Sequence, residues 1–142
     1  MAFKNFFNTY GFEVRGITDS AITLETGMAV KFKSLPIPGV NPVTYSLFIV
    51  STATPTDEVF GVVSPNETTV ITDLKYGRVV LVNAFFIPVL MDVDAVKGDY
   101  VRVKTMNGKF GKCAMGDISE AQLVEDVKKD VVGWAKTIRI KV

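Results

Sequence analysis

The residue types that ordinarily do chemistry are scarce in this sequence, and those present are poorly spaced for it. No histidine occurs among its 142 residues, which removes the commonest general base, the commonest metal ligand and the usual near-neutral pH switch together. The single cysteine, Cys113, excludes an internal disulfide. Lys109 and Lys112 precede it and could lower its pKa, but a nucleophilic thiol needs a base beside it, and no imidazole exists. Cys113 therefore reads as a packed, reduced thiol. Asp92-Val93-Asp94-Ala95-Val96-Lys97-Gly98-Asp99 looks superficially like a calcium loop, yet Val96 stands at an acidic position and no glutamate closes the loop. Two turns bracketing Ala95 and Val96 are expected instead. Asp57-Glu58 and Glu125-Asp126 are sequence neighbours, which point apart on a strand or a helix and so make no acid/base dyad. No Gly-rich phosphate loop is present. These absences argue against an enzyme, and no metal, cofactor or small-molecule substrate is expected.

One basic segment remains. Residues 97–112 carry Lys97, Arg102, Lys104, Lys109 and Lys112 against Asp99, with Tyr100 and Phe110 interleaved. Basic strands with exposed aromatics can hold single-stranded nucleic acid. The following segment, 117–130, has five acids to two bases and would oppose a nearby polyanion. A solvated strand face with a core aromatic is the simpler account. The formal net charge of +1 supplies no global pull toward nucleic acid or anionic lipid.

The elements that position these residues are strands. Twenty-two Val, 9 Ile and 13 Thr against 7 Leu favour a pleated, β-rich domain, because β-branched side chains are stiff and pack well across a sheet. Strands are expected at Ala21–Leu24, Met28–Lys33, Tyr45–Ser51, Val59–Val63, Thr68–Thr72, Arg78–Val82, Phe85–Met91, Tyr100–Lys104, Phe110–Met115, Val131–Ala135 and Thr137–Val142. The runs at 78–82 and 85–91 are too continuously apolar for half-exposed strands. Pro88 places the second at an edge or bulge. Asn107-Gly108 signals a two-residue hairpin. A Pro-rich surface loop spans 34–44. A short helix is expected near 119–130, with Ser119 and Gln122 as a capping box and Ile118 as a staple to Leu123. No apolar run approaches the ~18 residues of a membrane span, and polar residues Lys4, Asn5, Asn8 and Thr9 interrupt the N-terminus where a secretory signal would be apolar.

The N-terminus is unusual. Phe3, Phe6, Phe7, Tyr10 and Phe12 lie within twelve residues, spaced for a short helix to Tyr10 and then alternating like a strand through Arg15. Such a terminus needs a surface to bury against. Either it closes over its own core or it docks as an arm on a neighbouring chain. The expected organisation is an arm over residues 1–15 and a single β domain over 16–142. An echo also runs through the chain: Gly27 to Lys33 and Gly98 to Lys104 share G-x-x-V-[KR]-x-K, and residues 59–63 and 131–135 share V-x-G-x-[VA]. If this reflects duplication, the two halves would complete one sandwich or barrel.

Val96-Lys97-Gly98-Asp99-Tyr100-Val101, the Asn107-Gly108 hairpin and Val132-Gly133-Trp134-Ala135 resemble motifs of the capsid decoration, or cement, proteins of tailed bacteriophages. The similarity covers mainly residues 21–33 and 58–142. The resemblance implies a small β-barrel or β-sandwich that acts without catalysis on the outer surface of the virion head after synthesis in the host cytoplasm. It implies a homotrimer or homodimer bound to the major capsid protein, stabilising the head against packaged DNA. Phe3, Phe6, Phe7, Tyr10 and Phe12 are the expected partner-contacting residues. The alternatives are a small-barrel single-stranded nucleic-acid-binding module using Arg102, Lys104, Lys109 and Lys112 with Tyr100, or a structural subunit of a phage tail or fibre.

Overall fold

The computed structural model describes residues 12–17, 24–34, 47–65 and 78–142. Ten strands occur among them: β1 (Phe12–Ile17), β2 (Ala29–Ser34), β3 (Leu47–Thr52), β4 (Gly61–Val63), β5 (Arg78–Val82), β6 (Phe86–Leu90), β7 (Tyr100–Val103), β8 (Phe110–Lys112), β9 (Ala121–Leu123) and β10 (Val132–Thr137). The first five close into a barrel in the order β1-β3-β2-β4-β5. Its ring is completed by β1, which runs parallel to β3 and antiparallel to β5. The second five form an open antiparallel sheet in the order β6-β10-β9-β7-β8. Only Asn83, Ala84 and Phe85 connect barrel to sheet. Asn83 takes φ 55, a left-handed conformation that asparagine tolerates better than most residues. The fold is mainly β, as the composition requires.

Strand alternation divides the apolar residues between two cores. Val30 and Val63 point into the barrel with Leu24, Met28, Val80 and Leu90. Their sequence neighbours Ala29 and Val62 point the other way, against Ile87, Val89, Met91, Val101, Phe110 and Leu123 of the open sheet. A strand packed on both faces has no polar side to show, which is why the sequence runs are continuous. β6 is the clearest case, since Val89 lies between the sheets while its neighbour Leu90 plugs the barrel. It is an edge strand, so Pro88 costs no ladder hydrogen bond on a second side.

The backbone also joins the halves. Leu90 N–H donates to Gly27 O (3.0 Å), and Ala29 N–H donates to Gly108 O (2.9 Å). A Cβ on Gly27 would lie 2.7 Å from Leu90 N, and one on Gly108 2.4 Å from Ala29 O. Both glycines have positive φ, +84 and +79, so conformation and close approach each demand the absence of a side chain.

Four sequence expectations change. No helix occurs among the described residues, and 119–130 instead holds β9 followed by a bridge from Val127 to Ala95. Ser119 does not cap a helix. It is fully buried, donates through Oγ to Ile138 O (2.7 Å) and accepts Ile140 N–H (3.2 Å). Ala121 and Leu123 point inward and Gln122 outward. That period-2 burial between β7 and β10 overrides a weak amphipathic stripe, since a ten-residue helix has little stability of its own. Second, the β7–β8 connection runs through residues 104–109. Gly108 alone takes positive φ there, and Thr105 Oγ1 accepts Lys109 N–H (2.9 Å). Third, β4 is confined to Gly61–Val63 and β8 to Phe110–Lys112, both shorter than expected, while β10 runs on to Thr137 and the separate strand expected over Thr137–Val142 is reduced to a bridge from Lys141 to Ile118. Fourth, the echoed segments do not complete one barrel. Gly27 and Gly98 are matching turns with φ +84 and +94, but β4, with Gly61, pairs directly with β2. β10, with Gly133, is separated from β7 by β9. The expected strands at 68–72 and most of 21–24, and the Pro-rich loop beyond Ser34, lie outside the described residues.

Candidate partner-binding surface

Where barrel and sheet diverge, a cleft of about 370 Å3 opens between Val59, Phe60 and Val62 of the barrel side and Ala84, Ile87, Phe110 and Thr137 of the sheet side, with Glu120 also on its wall. It adjoins a second hollow of about 490 Å3 lined by Phe32, Glu58 and Val82, and the two share Val59, Phe60 and Asn83. The rings of Phe32 and Phe60 meet at a centroid distance of 5.5 Å, and those of Phe85 and Phe86 at 5.1 Å. Phe85, in the connection that borders the cleft, is 61 % exposed and Phe32 45 %. Large apolar side chains presented beside a concave surface mark an interaction site more often than scattered ones do.

Glu120 is the titratable group on the cleft wall. Burial pushes its carboxyl above the ordinary glutamate range; Arg139 and Arg102 pull it back, and Glu58 adds to the rise. No described residue donates a hydrogen bond to it. Asp57 behaves oppositely: Thr54 N–H (2.8 Å) and hydroxyl (2.9 Å) hold it low, aided by Lys31 at 3.4 Å.

Of the expected contact residues, Phe3, Phe6, Phe7 and Tyr10 lie outside the described residues. Phe12 is the first residue of β1 and pairs with Val82, which lines the second hollow. Residues 12–15, assigned with the arm from sequence, thus run in a barrel strand. Nothing in the sequence patterning marked the cleft itself. Its walls come from β4, β6, β8, β10 and the loop residues 59–60, 83–84 and 120, and only their pairing brings them together.

The basic segment is largely neutralised. Arg102 donates to Asp117 Oδ1 (3.3 Å) and to Pro55 O (2.5 Å), and Lys104 lies 2.6 Å from Asp117 Oδ2. These contacts, with a bond from Ala114 N–H, hold Asp117 below the usual carboxylate range. Lys109 faces Asp130 at 3.3 Å, and Phe110 is fully buried and cannot stack on a base. Cys113 is also unlike an activated thiol, because burial first and Asp117 second raise its pKa against the pull of Arg102 and Lys104. Two carboxylates of the Asp92–Asp99 stretch take up backbone amides: Asp99 Oδ2 accepts Val96 N–H (2.9 Å) within its own turn, and Asp94 Oδ1 accepts Lys129 N–H (2.8 Å) from a distant loop. Among the described residues, no three acidic or thiol groups converge as a cation site would require.

No protein-family model matches the chain, and no curated protein matches its sequence. The fold is similar to that of the crystal structure of the head fiber gp8.5 N base in bacteriophage phi29, over 93 % of this chain and 96 % of that one, with a TM-score of 0.54 and 14 % identity. At that identity the likeness is one of fold, carried through both the closed and the open array.

Proposed function

We propose that this protein is a non-enzymatic structural component of a bacteriophage head, attached to the outer face of the capsid and strengthening it against packaged DNA. The observation that carries the reading is the fold shared with a head-fiber base along nearly the whole of both chains. A surface cleft that carries Val59, Phe60 and Ile87 on its walls, an aromatic N-terminal segment and the absence of any histidine agree with a chain that works by contact. A protein that binds only the assembled shell stabilises it by mass action, since opening the shell must first release the clamp. On this reading the chain acts as a homotrimer or homodimer on the major capsid protein, and Phe3, Phe6, Phe7, Tyr10 and Phe12 reach neighbouring chains.

Co-sedimentation with purified heads of the encoding phage tests this. The full chain is expected to pellet with heads, and a variant lacking residues 1–11 to stay in solution with an unchanged β-sheet circular dichroism spectrum. If that variant misfolds, the triple replacement of Phe3, Phe6 and Phe7 by Ser serves instead. Undiminished binding would remove the segment from the contact, and no pelleting of the full chain would remove the head. Because the similar structure is a fiber base, the second reading is a fiber or tail subunit. Labelled particles would then carry the protein at isolated projections or on the tail, where a decoration protein would cover the head.

A further inference from the structure

We propose that Asn107 is a site of spontaneous covalent modification. The Gly108 amide nitrogen closes the Asn107 side chain into a succinimide, and water opens that ring to aspartate or isoaspartate. The isoaspartate product parts the backbone seam between barrel and open sheet. The site does not depend on what the chain binds.

Four observations converge. The first is sequence. Of the asparagines in the chain, only Asn107 precedes a glycine, and a following residue without a Cβ lets its nitrogen approach the side-chain amide. The second is place. Asn107 is exposed in the connection between β7 and β8, where water reaches it. Gly108 N–H makes no well-formed hydrogen bond among the described residues, so no ladder bond is lost when that nitrogen reacts. The third is a donor. Thr105 Oγ1 lies 2.6 Å from Asn107 Oδ1, nearer than its other acceptor, Lys109 O at 3.3 Å, and is itself held by Lys109 N–H at 2.9 Å. A hydroxyl donating to Oδ1 draws electron density from Cγ and steadies the oxyanion that forms there. In the reaction Gly108 N gives its proton to solvent and bonds to Asn107 Cγ. The Cγ–Nδ2 bond then breaks, and Nδ2 takes up a proton and leaves as ammonia. Water next cleaves one of the two imide C–N bonds. Cleavage at Cγ gives aspartate, whereas cleavage at the main-chain carbonyl gives isoaspartate, whose backbone runs through Cβ and Cγ and is one carbon longer. The fourth observation is what that carbon displaces. Gly108 O accepts Ala29 N–H at 2.9 Å, and Ala29, in β2 of the barrel, is wholly buried. Gly108 lies so close to Ala29 that no Cβ fits between them. Moving Gly108 O therefore leaves the Ala29 N–H without its acceptor inside the core.

Ageing the folded protein in warm neutral buffer tests this. Peptide mass mapping reads the exchange of amide for acid at every asparagine, and enzymatic isoaspartyl methylation reads the product. Asn107 is expected to convert first, with isoaspartate in excess of aspartate. Thr105→Val should slow conversion about fivefold in the folded chain, the worth of one exposed hydrogen bond, and leave the rate in urea unchanged. Thr105→Ser keeps the hydroxyl and should react like the parent. Conversion at Asn107 no faster than at Asn83 would overturn the proposal, and a Thr105→Val chain that reacts as fast as the parent would overturn the part given to the hydroxyl. Hydrogen exchange at the Ala29 amide reads the seam. Protection there should fall in the aged parent and hold in aged Asn107→Gln. It should also hold in Asn107→Asp, which carries the new charge without the extra carbon. An equal loss in Asn107→Asp would assign the effect to charge, and full protection in isoaspartate-rich protein would remove the seam from the proposal.

Discussion

Each half of the molecule contributes five strands, but the halves solve the edge problem in different ways. In the barrel every strand has two neighbours, and no row of backbone groups is left for another chain to pair with. The open sheet ends in β6 and β8, and each edge is blunted separately. β6 carries Pro88 and lends Leu90 N–H to Gly27 of the barrel. β8 is three residues long, and Phe110 at its start bridges to Met91 while its carbonyl accepts Asp92 N–H at 2.8 Å. The barrel supplies its own closure, whereas the sheet borrows closure from the barrel at β6 and covers β8 with Met91 and Asp92 of its own half. The open half therefore depends on the seam more than the closed half does.

The matched turn glycines measure that dependence. Gly27 and Gly98 begin the echoed segments with nearly the same φ, +84 and +94, but a Cβ on Gly98 meets nothing within 4 Å while one on Gly27 meets Leu90 backbone at 2.7 Å. Gly98→Ala should cost only the left-handed conformation, about 1 kcal/mol. Gly27→Ala adds a backbone clash at the seam and should cost about 3 kcal/mol in urea unfolding. If the sheet leans on the barrel, hydrogen exchange in the Gly27 variant rises first in β6 and β10. Equal losses for the two variants would mean that the seam carries little of the stability.

Most of this architecture was legible where side-chain period decides it. β2, β5, β6 and β7 follow from alternation or from continuous β-branched runs, and the positive-φ turns at Gly27 and Gly98 follow from the motif they share. Ser119 to Lys129 was not legible, because S-x-x-Q followed by Leu123, Val124 and Val127 satisfies a helix pattern locally. What defeats it is non-local: Ser119 bonds to Ile138 and Ile140, and Leu123 N–H donates to Asp99 O. Closure of the barrel was equally hidden, since the parallel β1–β3 pairing joins segments with no local signal for each other. The cleft depended on both, and of the wider site only the aromatic segment could be read from the chain.

Gly133 offers a test of intermediate size within the open half. Its added Cβ would fall 2.0 Å from Val127 Cγ2, and Val127 is itself buried where the expected helix would have run. Gly133→Ala should cost about 2 kcal/mol by overpacking. Val127→Ala vacates the space that the new methyl needs, so the double variant should be more stable than the sum of the singles by about 1.5 kcal/mol. Additive losses would place the strain in the β10 backbone.

The smallest effect expected lies at the seam and is visible through pH. Burial raises the Glu120 pKa in the folded chain, with Arg139 and Arg102 opposing and Glu58 reinforcing the shift. The folded state therefore holds that proton more tightly than the unfolded state, and ionising Glu120 works against folding at neutral pH. Glu120→Gln removes the penalty, so the variant should melt slightly higher than the parent at pH 7. The gain should shrink as pH falls through the raised value and vanish below the ordinary glutamate range, where the parent is protonated in both states. A gain independent of pH would assign it to amide packing and leave the charge without a role.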